Sequence, residues 1–141
     1  MNKWFIIVVL LLAGVYTLAS NISPNRVDDV QVRSHADSTA EKILLAINQD
    51  DYTSFIAELD ESLKTSFTES EFHNYSAYVK SNYGIYESKV FVNAIKGEDY
   101  VAVIYALKFL AGKPGYLEIH LIPSTGLGPV SSFEIHPPIN R

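Results

Sequence analysis

Two Glu-x-His triplets stand near the end of the chain, Glu118-Ile119-His120 and Glu134-Ile135-His136. Alternate residues of a β-strand share a face, so each triplet sets a carboxylate beside an imidazole. That combination can bind a metal or perform general acid/base catalysis. Whether the triplets converge depends on strand register. With the last hairpin turning near Ser124-Thr125, His120 pairs near Val130, Glu118 near Ser132 and Tyr116 near Glu134. At about 3.3 Å per residue, His136 then lies roughly 20 Å along the sheet from His120. Only Glu118 and Glu134 become diagonal neighbours, and this side of the strands reads as a solvated polar face. His73, early in a helix, is expected to be exposed, and His35 to sit at a frayed helix start.

Other chemistries lack their residues. There is no cysteine, which removes thiol nucleophiles and lipid attachment, and no Gly-x-Ser-x-Gly elbow for a serine nucleophile. Gly126-Leu127-Gly128 precedes no helix, so it is a turn rather than a phosphate cradle. His-Glu-x-x-His and the Asp-rich calcium loop are missing too. No catalytic, cofactor or metal residue is therefore assigned. Two polar residues on apolar strand faces, Asn93 and Tyr105, still need partners if buried, and those partners could be protein, water or ligand. With Phe55, Phe91, Val103 and Leu107 they form the candidate lining of an apolar pocket.

The elements that would position these residues follow from periodicity. Ser34 and Ser38 are each followed three residues later by an acid, a capping-box spacing, and Ala36, Ala40, Ile43, Leu44 and Ile47 form a helical stripe. A second helix starts after Asp50-Asp51, with Tyr52, Phe55, Ile56 and Leu59 on one face and Leu63 and Phe67 continuing it. Thr68-Glu69-Ser70-Glu71 opens a third, carrying Phe72, Tyr75 and Val79 and ending at Gly84. After Gly84 the period becomes two. Tyr86–Lys96, Tyr100–Ala111, Tyr116–Ile122 and Pro129–His136 read as four strands joined by short turns, hence an antiparallel meander. The fold class is α+β: three N-terminal helices packed on a curved four-stranded antiparallel sheet. Simple alternation turns Phe91, Asn93, Ile95, Val101, Val103, Tyr105, Leu107 and Phe109 toward the helices. The first two strands are apolar on both sides, so their second face also needs a cover.

The run Ala40-Glu41-Lys42-Ile43-Leu44, then Asn48-Gln49-Asp50-Asp51-Tyr52, Phe55, Leu59-Asp60-Glu61, Leu63-Lys64, Thr68, Phe72 and Tyr83-Gly84, resembles an uncharacterised group of small exported prokaryotic domains. That group has the cystatin-like, nuclear-transport-factor-two-like fold. The resemblance spans Ala40 to about Ile135 and rests on core and capping residues. It implies a cone of sheet and helices whose open end holds a small ligand or another subunit, and it carries over no functional residue. Ketosteroid-isomerase-type enzymes share the superfamily and use a buried carboxylate in the cone.

Destination is read from the first residues. Lys3 precedes an apolar run from Trp4 to Ala19, slightly short of the ~20 residues needed to span a bilayer. This reads as a signal peptide over 1–19, cleaved between Ala19 and Ser20, with an uncleaved N-terminal membrane anchor as the alternative. A linker over 20–33, a domain over 34–137 and a tail over 138–141 come after it. Sixteen Asp and Glu against eleven Lys and Arg, with no basic stripe, exclude nucleic acid as a partner. Nine of those acids lie between Asp37 and Glu71, giving the helical half a negative, solvated surface. The expectation is an extracytoplasmic, non-catalytic domain that engages the membrane or secretion machinery through residues 1–19. It would bind a small apolar ligand or a protein partner, with a homodimer through the sheet as one form. An isomerase or hydrolase of the same fold, needing Asp60, Glu61 or another acid turned into the cavity, is one alternative. A membrane-anchored structural or sensory domain is the other.

Overall fold

The computed structural model describes residues 30–124 and 126–138. The targeting segment over 1–19, the Ala19/Ser20 cleavage position, most of the linker and residues 139–141 lie outside the described residues. No described helix is long and apolar enough to cross a membrane.

Helix α1 (Val30–Gln49) buries Val32, Ala36, Ala40, Ile43, Leu44 and Ile47. Val32 extends the apolar stripe one turn earlier than Ala36, so residues 30–33 are helical where a linker was expected. Ser34 and Ser38 are interior positions, not caps. Asp51 then caps α2 (Tyr52–Ala57) by accepting from the Ser54 amide at 3.1 Å. The second helix expected from the sequence is in fact two. Asp60 accepts from the Leu63 amide at 2.7 Å and so starts α3 (Glu61–Ser66) afresh. Between them the chain is briefly extended: the Asp60 amide donates to the Val130 carbonyl at 2.8 Å, and the Val130 amide to the Glu58 carbonyl at 2.9 Å. Leu59 thereby bridges Val130 in parallel. Helix α4 (Glu69–Asn82) opens with the expected capping box between Thr68 and Glu71. It ends before Gly84, whose φ of +108° suits glycine.

Strands β1 (Ile85–Lys96), β2 (Val101–Leu110), β3 (Gly115–Ser124) and β4 (Gly126–His136) form one open antiparallel sheet in sequence order. Helices cover one face. There Val103, Tyr105, Leu107, Leu117, Ile119, Leu121, Phe133 and Ile135 meet the helix residues Ile43, Leu44, Phe55 and Phe72, and Leu59 of the extended link, in a single core. Phe55 is its hub, with ring centroids 4.6 Å from Phe72 and 5.2 Å, edge-on, from Phe133. The architecture is α+β, with four helices among the described residues where three were expected.

Register departs from simple alternation in both outer pairs. In β1 the pairing slips between Tyr86 and Ser88 and again between Phe91 and Asn93, leaving Glu87 and Val92 as bulged residues. Each bulge reverses the parity of the residues C-terminal to it. Tyr86, Lys89, Phe91 and Ala94 therefore face the helices, while Ile85, Val90, Asn93 and Ile95 face away. In β3–β4 two one-residue shifts lie between Pro123 and His120. The hairpin turns where expected, with Ser124 opposite Gly126, but beyond the shifts Glu118 faces Glu134 and Tyr116 faces His136.

Candidate functional site

The six residues expected to line a pocket separate into three environments. Phe55, Val103, Tyr105 and Leu107 are core residues, the first three with no exposed surface at all. Phe91 lies half-buried at the border of that core, its ring capped by the Arg33 guanidinium 4.1 Å from the centroid. Asn93 is on the opposite face, because the Val92 bulge precedes it, and its side-chain oxygen accepts from the adjacent Ala94 amide at 2.9 Å. Ile95 turns away from the helices for the same reason.

The partner that Tyr105 needs comes from α1. Its hydroxyl donates to Asp37 Oδ1 at 2.6 Å. Burial, and then the Asp37 carboxylate, push this phenol up from its ordinary value, so it remains a donor. One turn further along α1, Glu41 Oε2 accepts from both Tyr86 and Lys89, each at 2.7 Å. Burial disfavours the Glu41 carboxylate, yet the bonds from Lys89 and Tyr86 hold it below the usual range. Arg33, Asp37 and Glu41 recur every four residues and so form one charged row along the helix. An open hollow of about 350 Å³ adjoins this row, lined by Val30, Arg33, Ser34 and Asp37. The row ties α1 to β1 and β2.

The face of the sheet away from the helices is the other candidate, and it divides in two. On β3 and β4 it carries Tyr116, Glu118, His120, Glu134 and His136, the residues of the two Glu-x-His triplets. This half is less wet than alternation implied. Glu118 is only 1% exposed, and its Oε1 lies 2.7 Å from His120 Nε2. Tyr100 stacks on His120 with ring centroids 4.4 Å apart and planes at 4°, and Tyr116 stacks on His136 at 5.7 Å and 10°. Burial pushes Glu134 up to about 7, with the Glu118 charge adding to the effect, and burial also pushes His136 down. His120 and His136 remain about four residues, or roughly 13 Å, apart along the strands. Among the described residues, no group of three His, Asp or Glu side chains is placed to hold a metal ion.

On β1 and β2 the same face is apolar and open. Ile85 and Leu110 are cross-strand partners, as are Val90 and Ala106. Val90 is 67% exposed, Leu110 55%, Val92 46% and Ile85 41%. Between the two pairs Lys108 binds Glu87 at 3.0 Å. Nearer β3 the apolar residues are covered: Ile95, Ala102 and Ile104 are buried.

Alternation in the sequence singled out this two-sided apolar character and the Glu-x-His triplets. It missed the pairing of Glu118 with Glu134, since bulges leave no mark in a pattern of period two. The acids named for a catalytic alternative do other work. Asp60 caps α3, and Glu61 pairs on the surface with Lys64 at 2.9 Å. No protein-family model matches this sequence and no curated protein matches it, which leaves the residues themselves to carry any functional reading.

Proposed function

We propose that this protein is an extracytoplasmic, non-catalytic binding domain of the cystatin-like or nuclear-transport-factor-two-like kind, which pairs with a second copy of itself through the open face of β1 and β2. The observation that carries this reading is the exposure of Val90, Ile85 and Leu110, apolar side chains on the sheet face turned away from the helices. Exposed apolar clusters of this kind mark association surfaces. A second copy suits the charges as well as the apolar groups. An interface between two copies related by a twofold axis presents the same patch from each side, so Lys108 of one protomer can meet Glu87 of the other. A small apolar ligand is less favoured, because Phe55, Val103 and Tyr105 are sealed in the core. Export rests on the basic start and apolar run of residues 3–19. Mass spectrometry of the protein from its own cell tests it: a mature chain beginning at Ser20 means cleavage, and an intact membrane-bound chain means an anchored domain.

Light scattering of the domain and of its Val90→Asp and Leu110→Asp variants tests the pairing. The wild type should double its mass with rising concentration, and both variants should stay monomeric with unchanged circular dichroism. A wild type still monomeric at about 1 mM refutes the proposal, since a dimer weaker than about 4 kcal/mol has no use for a dedicated surface.

The paired acids favour a second reading, acid/base catalysis of the isomerase or hydrolase type, because Glu134 sits near 7 beside a buried carboxylate. That reading requires Glu134→Gln to abolish a turnover seen with the wild type.

A further inference from the structure

We propose that Glu118 and Glu134 share one proton across the β3–β4 pair, and that this proton holds the C-terminal half of the edge strand β4 against the sheet. Register brings the two acids together: they are direct cross-strand partners, which puts their Cβ atoms about 4.5–5.5 Å apart. Glu118 is 1% exposed and spends Oε1 on His120. Its Oε2, and Oε2 of Glu134, are buried and have no hydrogen-bond partner. An ionised carboxylate only accepts, so two of them cannot satisfy one another; a single proton between them turns one oxygen into a donor and satisfies both. With no proton, two like charges face each other across a strand pair, with the Oε2 atoms of both shielded from water.

The surrounding groups do not neutralise a second negative charge. Strand β2 presents Ala102, Ile104 and Ala106 to the pair and no charge. Strand β3 adds Tyr116 and His120, the latter already engaged with Glu118 and stacked under Tyr100. Strand β4 adds His136, whose imidazole burial pushes down, which favours its neutral form. From the helix side, the hydroxyls of Tyr75 and Tyr83 bear on Glu134, and both are pushed up and stay uncharged. No described lysine or arginine forms an ion pair with either acid. In agreement with this, Glu134 lies at about 7 rather than near its ordinary 4.5.

Linkage between protonation and folding sets the pH dependence. A carboxyl raised on folding binds more protons folded than unfolded between about 4.5 and 7, so its contribution is complete below 4.5 and lost as pH rises through 7. The loss is local. Val130 stays bonded to Glu58 and Asp60, so the part of β4 that loosens runs from Ser132 to His136.

Carboxyl-carbon NMR titration of the wild type, with amide hydrogen exchange at pH 5 and pH 8, tests the proposal. One signal of the Glu118/Glu134 pair should titrate near 7, and the partner's signal should move with it. Corrected for intrinsic rates, protection from Ser132 to His136 should fall about tenfold or more between the two pH values, while Val130 is unchanged. Glu134→Gln, which supplies a permanent donor, should remove that fall. Two carboxyls titrating independently below about 5 overturn the proposal, as does a Glu134→Gln protein whose β4 exchange keeps the wild-type pH dependence. Should that variant not fold, the wild-type titration alone decides.

Discussion

His73 shows how a single side chain can link elements. Its Nδ1 lies 2.9 Å from Asp50 Oδ2 and its Nε2 3.6 Å from Glu69 Oε1, so it joins the turn after α1 to the first turn of α4. The Asp50 hydrogen bond is the main reason the imidazole is pushed above 6.5. A histidine raised on folding stabilises the protein fully below its unfolded value, and that contribution disappears as pH climbs through the folded one. His73→Gln should therefore flatten the fall in stability that begins above pH 6.5, as followed by urea midpoints at closely spaced pH values. Opposite slopes from His73 and Glu134 are not expected; both make the protein more stable in acid. Tyr105 shows what could be read in advance at this scale. Its place in an apolar alternation marked a hydroxyl in need of a partner. That the partner is Asp37 emerged only from the packing of α1 across β2, a contact between residues far apart in the chain. His73 was expected at the surface, which is true of a side chain 42% exposed, but the Asp50 pairing depends on an Asp50 backbone φ of +57° that spacing does not reveal.

Most element starts were legible in local chemistry, although the cap spacing at Ser34 and Ser38 misled because the helix begins earlier, and elements were obscure wherever a single extra residue decides them. The Thr68–Glu71 capping box, the Asp51 cap and the glycine after α4 lie where the sequence put them, because caps are written in neighbouring side chains. The break between α2 and α3 was not legible. Leu59 continues the helical apolar spacing, and it is the bond from Asp60 to β4 that draws this stretch out of the helix. The strand faces failed at Val92 for a comparable reason: one inserted residue reverses every later assignment, which moved Asn93 and Ile95 off the helix side. Deleting Val92 joins the Phe91↔Tyr105 and Asn93↔Ile104 pairs into an unbroken ladder with every face preserved, so the protein should still fold, with only a small drop in thermal midpoint. Deleting Val103 from the regular strand β2 should unfold it, since half the strand then turns its apolar face outward. Circular dichroism and thermal midpoints of the two deletions distinguish these outcomes.

At the scale of the whole molecule, the sheet divides the protein into a side sealed by helices and a side left partly open. Helices seal one face, and on the other an open apolar half on β1–β2 adjoins a half that carries the Glu118/Glu134 pair and stacked rings on β3–β4. Composition made the two-sided apolar strands visible, but only pairing could show that their second face stays partly uncovered. The link between Leu59 and Val130 adds a consequence in the order of chain growth. The helical half emerges first, and Phe55 and Leu59 cannot be fully covered until Phe133 and Val130 of β4 follow to pack on them. A nascent chain lacking β4 thus leaves Phe55 and Leu59 open until the whole sheet has been made. Whatever holds that incomplete domain, ribosome, chaperone or export channel, has to retain it until β4 is free.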